Sequence, residues 1–205
     1  MSDWETIFKE KGKVFLESEY FMQEAIDLFK KNNIKKVLDL GCGSGRNTIA
    51  FAKAGFEVYG TDISESGLKI TKKSLSDENL KAELTNTSCY EKFPFENDFF
   101  DAVVSTHVIH HNFHDKIVFC ISEIERVLKK NGFLLLTVAA KVGWEDKPDP
   151  ELVAPHTYIP MHGYEKGLTH YIYNKSLLRK DFRKFKIIKL EKDEAYHYLF
   201  IGTLK

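Results

Sequence analysis

The apolar positions change rhythm near residue 37. Before that point Phe21, Ala25, Leu28 and Phe29 recur at helical spacing, with Asn32-Asn33 as a stop. A weaker helical stretch precedes them, so residues 1–33 read as an N-terminal helical cap. From Val37 onward short apolar runs alternate with amphipathic stretches. Residues 37–40 read as a strand, 46–53 as a helix closed by Gly55, and 57–60 as a second strand. Ser64 is placed to cap a helix that carries Leu68 and Leu75. A third strand is expected near 82–85 and a fourth at 101–105. Asp115 is expected to cap the next helix, whose Ile117, Ile121, Ile124 and Leu128 share one face and which Asn131-Gly132 ends. Residues 133–138 form the fifth strand. A helix near 176–182 and two strands, 186–190 and 196–203, close the chain, the last two near enough to pair antiparallel. Strands alternating with helices predict an α/β fold, an open and mostly parallel sheet with helices on both faces.

The alternation breaks at residues 141–173. Four of the five prolines and His156, His162 and His170 lie there. A long irregular insertion in a compact α/β unit is usually functional, so we read it as a substrate lid. Its tyrosines, Tyr171 and Tyr173 among them, offer surface to bury.

Length and charge narrow the class. At 205 residues the chain suits one domain able to hold a core without disulfides. Thirty Lys+Arg balance thirty Asp+Glu, which argues against a nucleic-acid binder that relies on a strong overall positive field. Cys42, Cys89 and Cys120 form no CxxC pair and read as reduced thiols of a cytoplasmic protein. The N-terminal residues lack the apolar stretch of a signal peptide, and the longest apolar run is too short to cross a membrane.

The candidate chemistry starts at Gly41-Cys42-Gly43-Ser44-Gly45, between the first strand and the first helix of the alternating region. In open α/β sheets ligands sit at the carboxyl ends of the strands, and glycines there let backbone approach them. Asp62 follows Gly45 by 17 residues, just past the second strand, where a carboxylate can accept from both hydroxyls of a ribose. The GxGxG spacing is neither the dinucleotide fingerprint GxGxxG nor a phosphate loop. Asp39, two residues before the first glycine, would repel a pyrophosphate and suit a ligand with an ammonium group. S-adenosylmethionine (SAM) has that group, a sulfonium and no phosphate.

Four blocks in order carry a resemblance. VLDLGCGSGRNT (37–48), VYGTDIS (58–64), FPFENDFFDAVVSTHVIHH (93–111) and ISEIERVLKKNGFLLLTV (121–138) resemble the class I SAM-dependent methyltransferases, in particular their type 11 branch. Gly45–Thr48 is also similar to the tellurite-resistance-type enzymes. The resemblance implies a Rossmann-like sheet of seven strands, mostly parallel with an antiparallel last strand. It implies SAM as cofactor and S-adenosylhomocysteine as product. It places Asp39, Gly41, Cys42, Gly43 and Arg46 around the methionyl part, Asp62 on the ribose, Ile63 on the adenine, and Cys89 and Tyr90 at the adenine edge. Thr106 would offer a carbonyl to the methionyl ammonium. Cys89 stands where an Asp is common in the family.

Methyl transfer from SAM releases a neutral thioether, so no metal or oxyanion hole is required. Holding the nucleophile in line supplies much of the rate, on the order of 7–11 kcal/mol. His110 and His111, just past the fourth strand, are the candidate bases or acceptor contacts. The pairs His107/His111 and His110/His114 have i, i+4 spacing but lack the glutamate of HExxH, so no metal site is expected. From the insertion, His162, His170 and Tyr171 are the candidate substrate contacts, and Trp4, Phe8 and Phe15 are candidates to close the other side. The expected function is methyl transfer to a small-molecule acceptor. The alternatives are a SAM binder without catalysis, an RNA or protein methyltransferase, and an NAD-dependent reductase.

Overall fold

A computed structural model describes residues 4–14, 19–141, 150–163 and 165–205. Phe15 and residues 142–149 of the insertion lie outside those residues. Helices α1 (Trp4–Lys11) and α2 (Met22–Lys31) precede β1 (Lys36–Leu40), α3 (Arg46–Lys53), β2 (Glu57–Asp62), α4 (Glu65–Asp77) and β3 (Glu83–Asn86). Then come β4 (Phe100–Thr106), α5 (His114–Val127), β5 (Leu128–Ala139), β6 (Glu151–Ala154), β7 (Thr157–Ile159) and β8 (His170–Tyr171). Helix α6 (Lys175–Asp181), β9 (Phe185–Lys192) and β10 (His197–Leu204) end the chain.

Seven of the described strands make one sheet in the order β3-β2-β1-β4-β5-β10-β9. The pairings from β3 through β5 are parallel, and β10 runs antiparallel to both neighbours. The sheet is apolar on both faces, as buried parallel strands must be. Val37, Ala102, Val104, Phe133 and Leu135 face Phe29 of α2 and Phe51 of α3. The alternate positions, Leu38, Val103, Leu134 and Leu136, face Ile117, Ile121 and Ile124 of α5. No helix among the described residues is long and apolar enough to cross a membrane.

Three expectations need correction. Helix α5 ends at Val127, before Asn131-Gly132, because Leu128 turns to extended backbone and pairs with Phe100. Asn131 (φ 61°) and Gly132 instead form an irregularity inside β5, where the register against β4 shifts. Phe113, not Asp115, holds the N-cap position of α5, and Asp115 lies in the first turn. The described part of the insertion is not irregular throughout, since β6, β7 and β8 form a small antiparallel sheet. Its last strand returns to the main body, where the Tyr171 N–H donates to the His110 carbonyl at 2.7 Å and the Tyr173 N–H to the Ala139 carbonyl at 2.9 Å. Ser64 does cap α4, its Oγ accepting from the Gly67 N–H at 3.0 Å.

Candidate active site

The strand order reverses between β1 and β4, and the loop 41–45 leaves the sheet there. Gly41 sits at φ +77°, and a Cβ on it would press into the Val108 side chain, 2.6 Å from Cγ1. The loops after β1 and β4 therefore converge. Beside them opens a cavity of about 550 Å³, within the usual range for a small-molecule site.

The loop's backbone donors are already engaged. The Gly41 and Cys42 N–H groups both donate to the Thr61 carbonyl at 2.8 Å. The Gly43 N–H donates to Asp62 Oδ2 at 2.7 Å, and the Gly45 N–H to the Cys42 carbonyl at 2.9 Å. A phosphate cradle needs such donors free. Three of these tie the loop to the end of β2, and the fourth closes the turn on itself.

What the cavity offers instead is acceptors. Asp62 is 8% exposed and lines the wall, its Oδ1 accepting from the Ser64 N–H at 2.8 Å. Burial pushes its pKa up, and the three backbone N–H groups around it oppose that only in part. Asn47 donates to Thr106 Oγ1 at 2.8 Å, but its own Oδ1 is buried without a partner, as is Thr61 Oγ1. Both residues line the cavity. Ile63, 60% exposed, presents an apolar shelf to it, and Cys89 and Tyr90 stand on the same wall. The Tyr90 hydroxyl donates to the Val108 carbonyl at 3.2 Å, and burial raises its pKa.

Asp39 is placed differently from the expectation. It is fully buried behind the loop and off the cavity wall, accepting from Thr48 Oγ1 at 2.6 Å, with Oδ1 unpartnered. Burial lifts its pKa to about 6. The folded protein therefore holds this proton more tightly than the unfolded chain. That contribution is complete below about pH 4 and lost as pH rises through about 6. Asp39→Asn removes it, so the variant is expected to gain on the order of 2–3 kcal/mol relative to wild type between about pH 4 and pH 7. Urea unfolding of both proteins at the two pH values checks this, and a difference independent of pH contradicts it.

Helix α1 covers the cleft. Trp4, Glu5 and Phe8 line it. Glu5 anchors the helix, accepting from Ser64 Oγ and Ser66 Oγ at 2.6 Å each, and these bonds hold its pKa down at about 2. Arg46 lines the cavity too and bonds Glu19 at 2.6 Å, which His107 Nε2 also reaches at 3.0 Å. Burial works against the Glu19 charge, but the His107 bond and the Arg46 guanidinium keep its pKa below the ordinary value. His107 takes φ 59°, which bends the chain away from β4.

Of the candidate bases, His111 lines the cavity and His110 lies behind it, 2% exposed, with ring centroids 4.2 Å apart. Burial and the neighbouring histidines drive both toward the neutral form, His111 to about 3. His170 is buried against His111, its ring 4.5 Å away, and does not itself line the cavity. None of the three expected substrate contacts lines the cavity. Tyr171 is 3% exposed and stacked on His114, and His162 is exposed to solvent. Among the described residues of the insertion, Leu168 lies on the wall.

Residues 37–132 match a family described as a methyltransferase domain. That match covers a little under half of the chain. The resemblance read from the four sequence blocks thus holds. The ubiquinone/menaquinone biosynthesis C-methyltransferase UbiE of Burkholderia vietnamiensis is 35% identical over 113 residues, 54% of this chain and 45% of that protein. The match thus spans a little under half the length of the relative. Among solved structures, the 1,6-didemethyltoxoflavin-N1-methyltransferase of Burkholderia thailandensis, with bound 1,6-didemethyltoxoflavin and S-adenosylhomocysteine, aligns with TM-score 0.74. Its identity is 16%, over 98% of this chain and 84% of that one. TehB of Haemophilus influenzae aligns at TM-score 0.69 and 18% identity, over 98% of this chain and 67% of that one. Both share the fold of this chain. Glu5, Glu19 and Glu165 around its cleft carried no local motif. Asn47 lies inside the first block, and its place as the second residue of α3 brings its amide to Thr106 at the end of β4.

Proposed function

We propose that the protein transfers the methyl group of SAM to a small-molecule acceptor. The observation that carries this reading is the state of the glycine loop, with three of its donors spent on β2, beside Asp62 and the unpartnered oxygens of Asn47 and Thr61, residues that line the cavity. That wall suits a ligand with an ammonium and ribose hydroxyls and offers little to a pyrophosphate. Asp62 has lone pairs left for both hydroxyls. Ile63, Cys89 and Tyr90 take the adenine. Asn47 Oδ1 and the carbonyl side of Thr106 take the ammonium, and Gly41, Cys42, Gly43 and Arg46 surround the methionyl chain. Bound SAM supplies a methyl on a cationic sulfur that leaves as a neutral thioether. The protein's task is then to place the acceptor and exclude water. Trp4 and Phe8 exclude water from above. His111 faces the acceptor as a neutral imidazole that contacts and orients it, and His110 fixes its position from behind.

The cavity volume of about 550 Å³ and the balanced charge support a small acceptor over a nucleic acid or protein. All three cysteines are free, which fits the reducing cytoplasm. Calorimetry with SAM and NAD tests the cofactor: SAM is expected to bind, and NAD binding without SAM overturns the reading. Labelled SAM with a panel of small acceptors separates an enzyme from a binder. His111→Ala is expected to lower turnover on the order of 100-fold and leave SAM affinity nearly unchanged. Equal turnover removes its role.

A further inference from the structure

Behind the acceptor side of the cleft, His110, His111 and His170 converge. One ring nitrogen of each lies within 4.8 Å of the others. The i, i+4 pairs that the sequence suggested are not what brings them together, because residues 107–113 are not helical. The return of β8 does so, its Tyr171 N–H pinned to the His110 carbonyl.

The hydrogen bonds around His170 leave one contact unbalanced. Its Nδ1 lies 3.0 Å from the Leu168 carbonyl, which only accepts, so Nδ1 carries the hydrogen. In the neutral ring Nε2 is then a bare lone pair, and it faces Glu165 Oε2 at 3.1 Å. Two acceptors at that distance require a positive species shared between them. Nδ1 of His110 and of His111 are buried as well, with no partner. Nitrogens of three histidines therefore meet in one small volume, with the Glu165 carboxylate against His170.

We propose that His110, His111 and His170, with Glu165, form a binding site for a divalent transition-metal ion of the zinc class. Neutral imidazoles and a carboxylate are the donor set such ions take. Metal–ligand bonds of about 2.0–2.2 Å put neighbouring donors roughly 3–3.5 Å apart. The His170–Glu165 spacing of 3.1 Å already has that value, and the remaining histidine nitrogens need to draw in toward it. The Leu168 carbonyl acts as the outer partner that fixes the His170 tautomer, as ligating histidines usually require. His111 sets the ion at the cavity wall, where one open coordination position faces the acceptor.

The test uses the tag-free full chain, stripped with a chelator and desalted. Co2+ is titrated while its visible d–d absorption is followed, and Zn2+ competes by calorimetry. One equivalent is expected, with the intense bands of a four- or five-coordinate site, displaced by Zn2+. His170→Gln is expected to lower Co2+ affinity by roughly 100-fold and Glu165→Gln by about 10-fold or more, both without changing SAM affinity. SAM calorimetry on the same samples reports folding and keeps the two readings apart: intact SAM binding without metal binding overturns the metal site alone. If His170→Gln does not fold, Glu165→Gln decides. No binding by wild type at about 0.1 mM Co2+ or Zn2+, or binding by Glu165→Gln equal to wild type, overturns the proposal. The positive species between His170 and Glu165 is then a proton.

Discussion

Asp62→Ala is expected to weaken SAM binding about 100-fold, close to 3 kcal/mol. The same change is expected to cost the fold about 2–3 kcal/mol. The two effects have different origins. For the ligand, a carboxylate that accepts from hydroxyls makes charge-assisted bonds, each among the stronger kinds available. For the fold, Asp62 holds the Gly43 and Ser64 N–H groups at 2.7 and 2.8 Å. Alanine leaves both unpaired in a nearly dry place, a cost of roughly 1–3 kcal/mol each. Relief from burying a carboxylate returns part of that. Asp62→Asn keeps one accepting oxygen and is expected to fall between wild type and alanine on both measures. Calorimetry for SAM and urea unfolding for stability read them independently. A SAM affinity unchanged in Asp62→Ala would remove the ribose role and leave Asp62 as a loop anchor only.

Gly41→Ala is expected to destabilise the protein by about 2–5 kcal/mol. One part is conformational, because an L side chain at φ +77° costs roughly 1–2 kcal/mol. The other is steric, because the new methyl overlaps the Val108 side chain and must push the loop after β4 aside, at roughly 1–3 kcal/mol. A second substitution separates them. Val108→Ala in the Gly41→Ala background is expected to recover the steric part and not the conformational part. Urea midpoints of the two single variants and the double variant provide the cycle. Strict additivity would mean that the two loops do not press on each other.

Much of this molecule is written locally. The run at 133–138 has no alternation because both faces of β5 are buried, and Ser64 caps α4 with its own side chain. Asp62 was legible because the acid at the end of the second strand has a fixed relation to the turn at the end of the first. Leu128 misled because a buried apolar residue fits a helix stripe and a strand equally well, and its partner Phe100 lies 28 residues away. Asp39 misled in another way. Alternation fixes that its side chain leaves β1 on a given face, but not that Thr48 folds over it. The histidines were visible as a cluster in the chain, yet the grouping of His110 and His111 with His170 depends on β8 returning across 60 residues. Glu5 reaches the cleft, and Glu165 reaches His170, from outside the alternating region, and no spacing rule links them to either place.

The tying of the glycine loop to β2 has a consequence for affinity. A turn rich in glycine ordinarily gives up much freedom when it closes on a ligand. Here the turn is already clamped before any ligand arrives, so its loss of freedom belongs to folding and not to association. Tightening the grip of this cleft by mutation is therefore a matter for α1 and the insertion, whose ordering still counts against the ligand, rather than for residues 41–45.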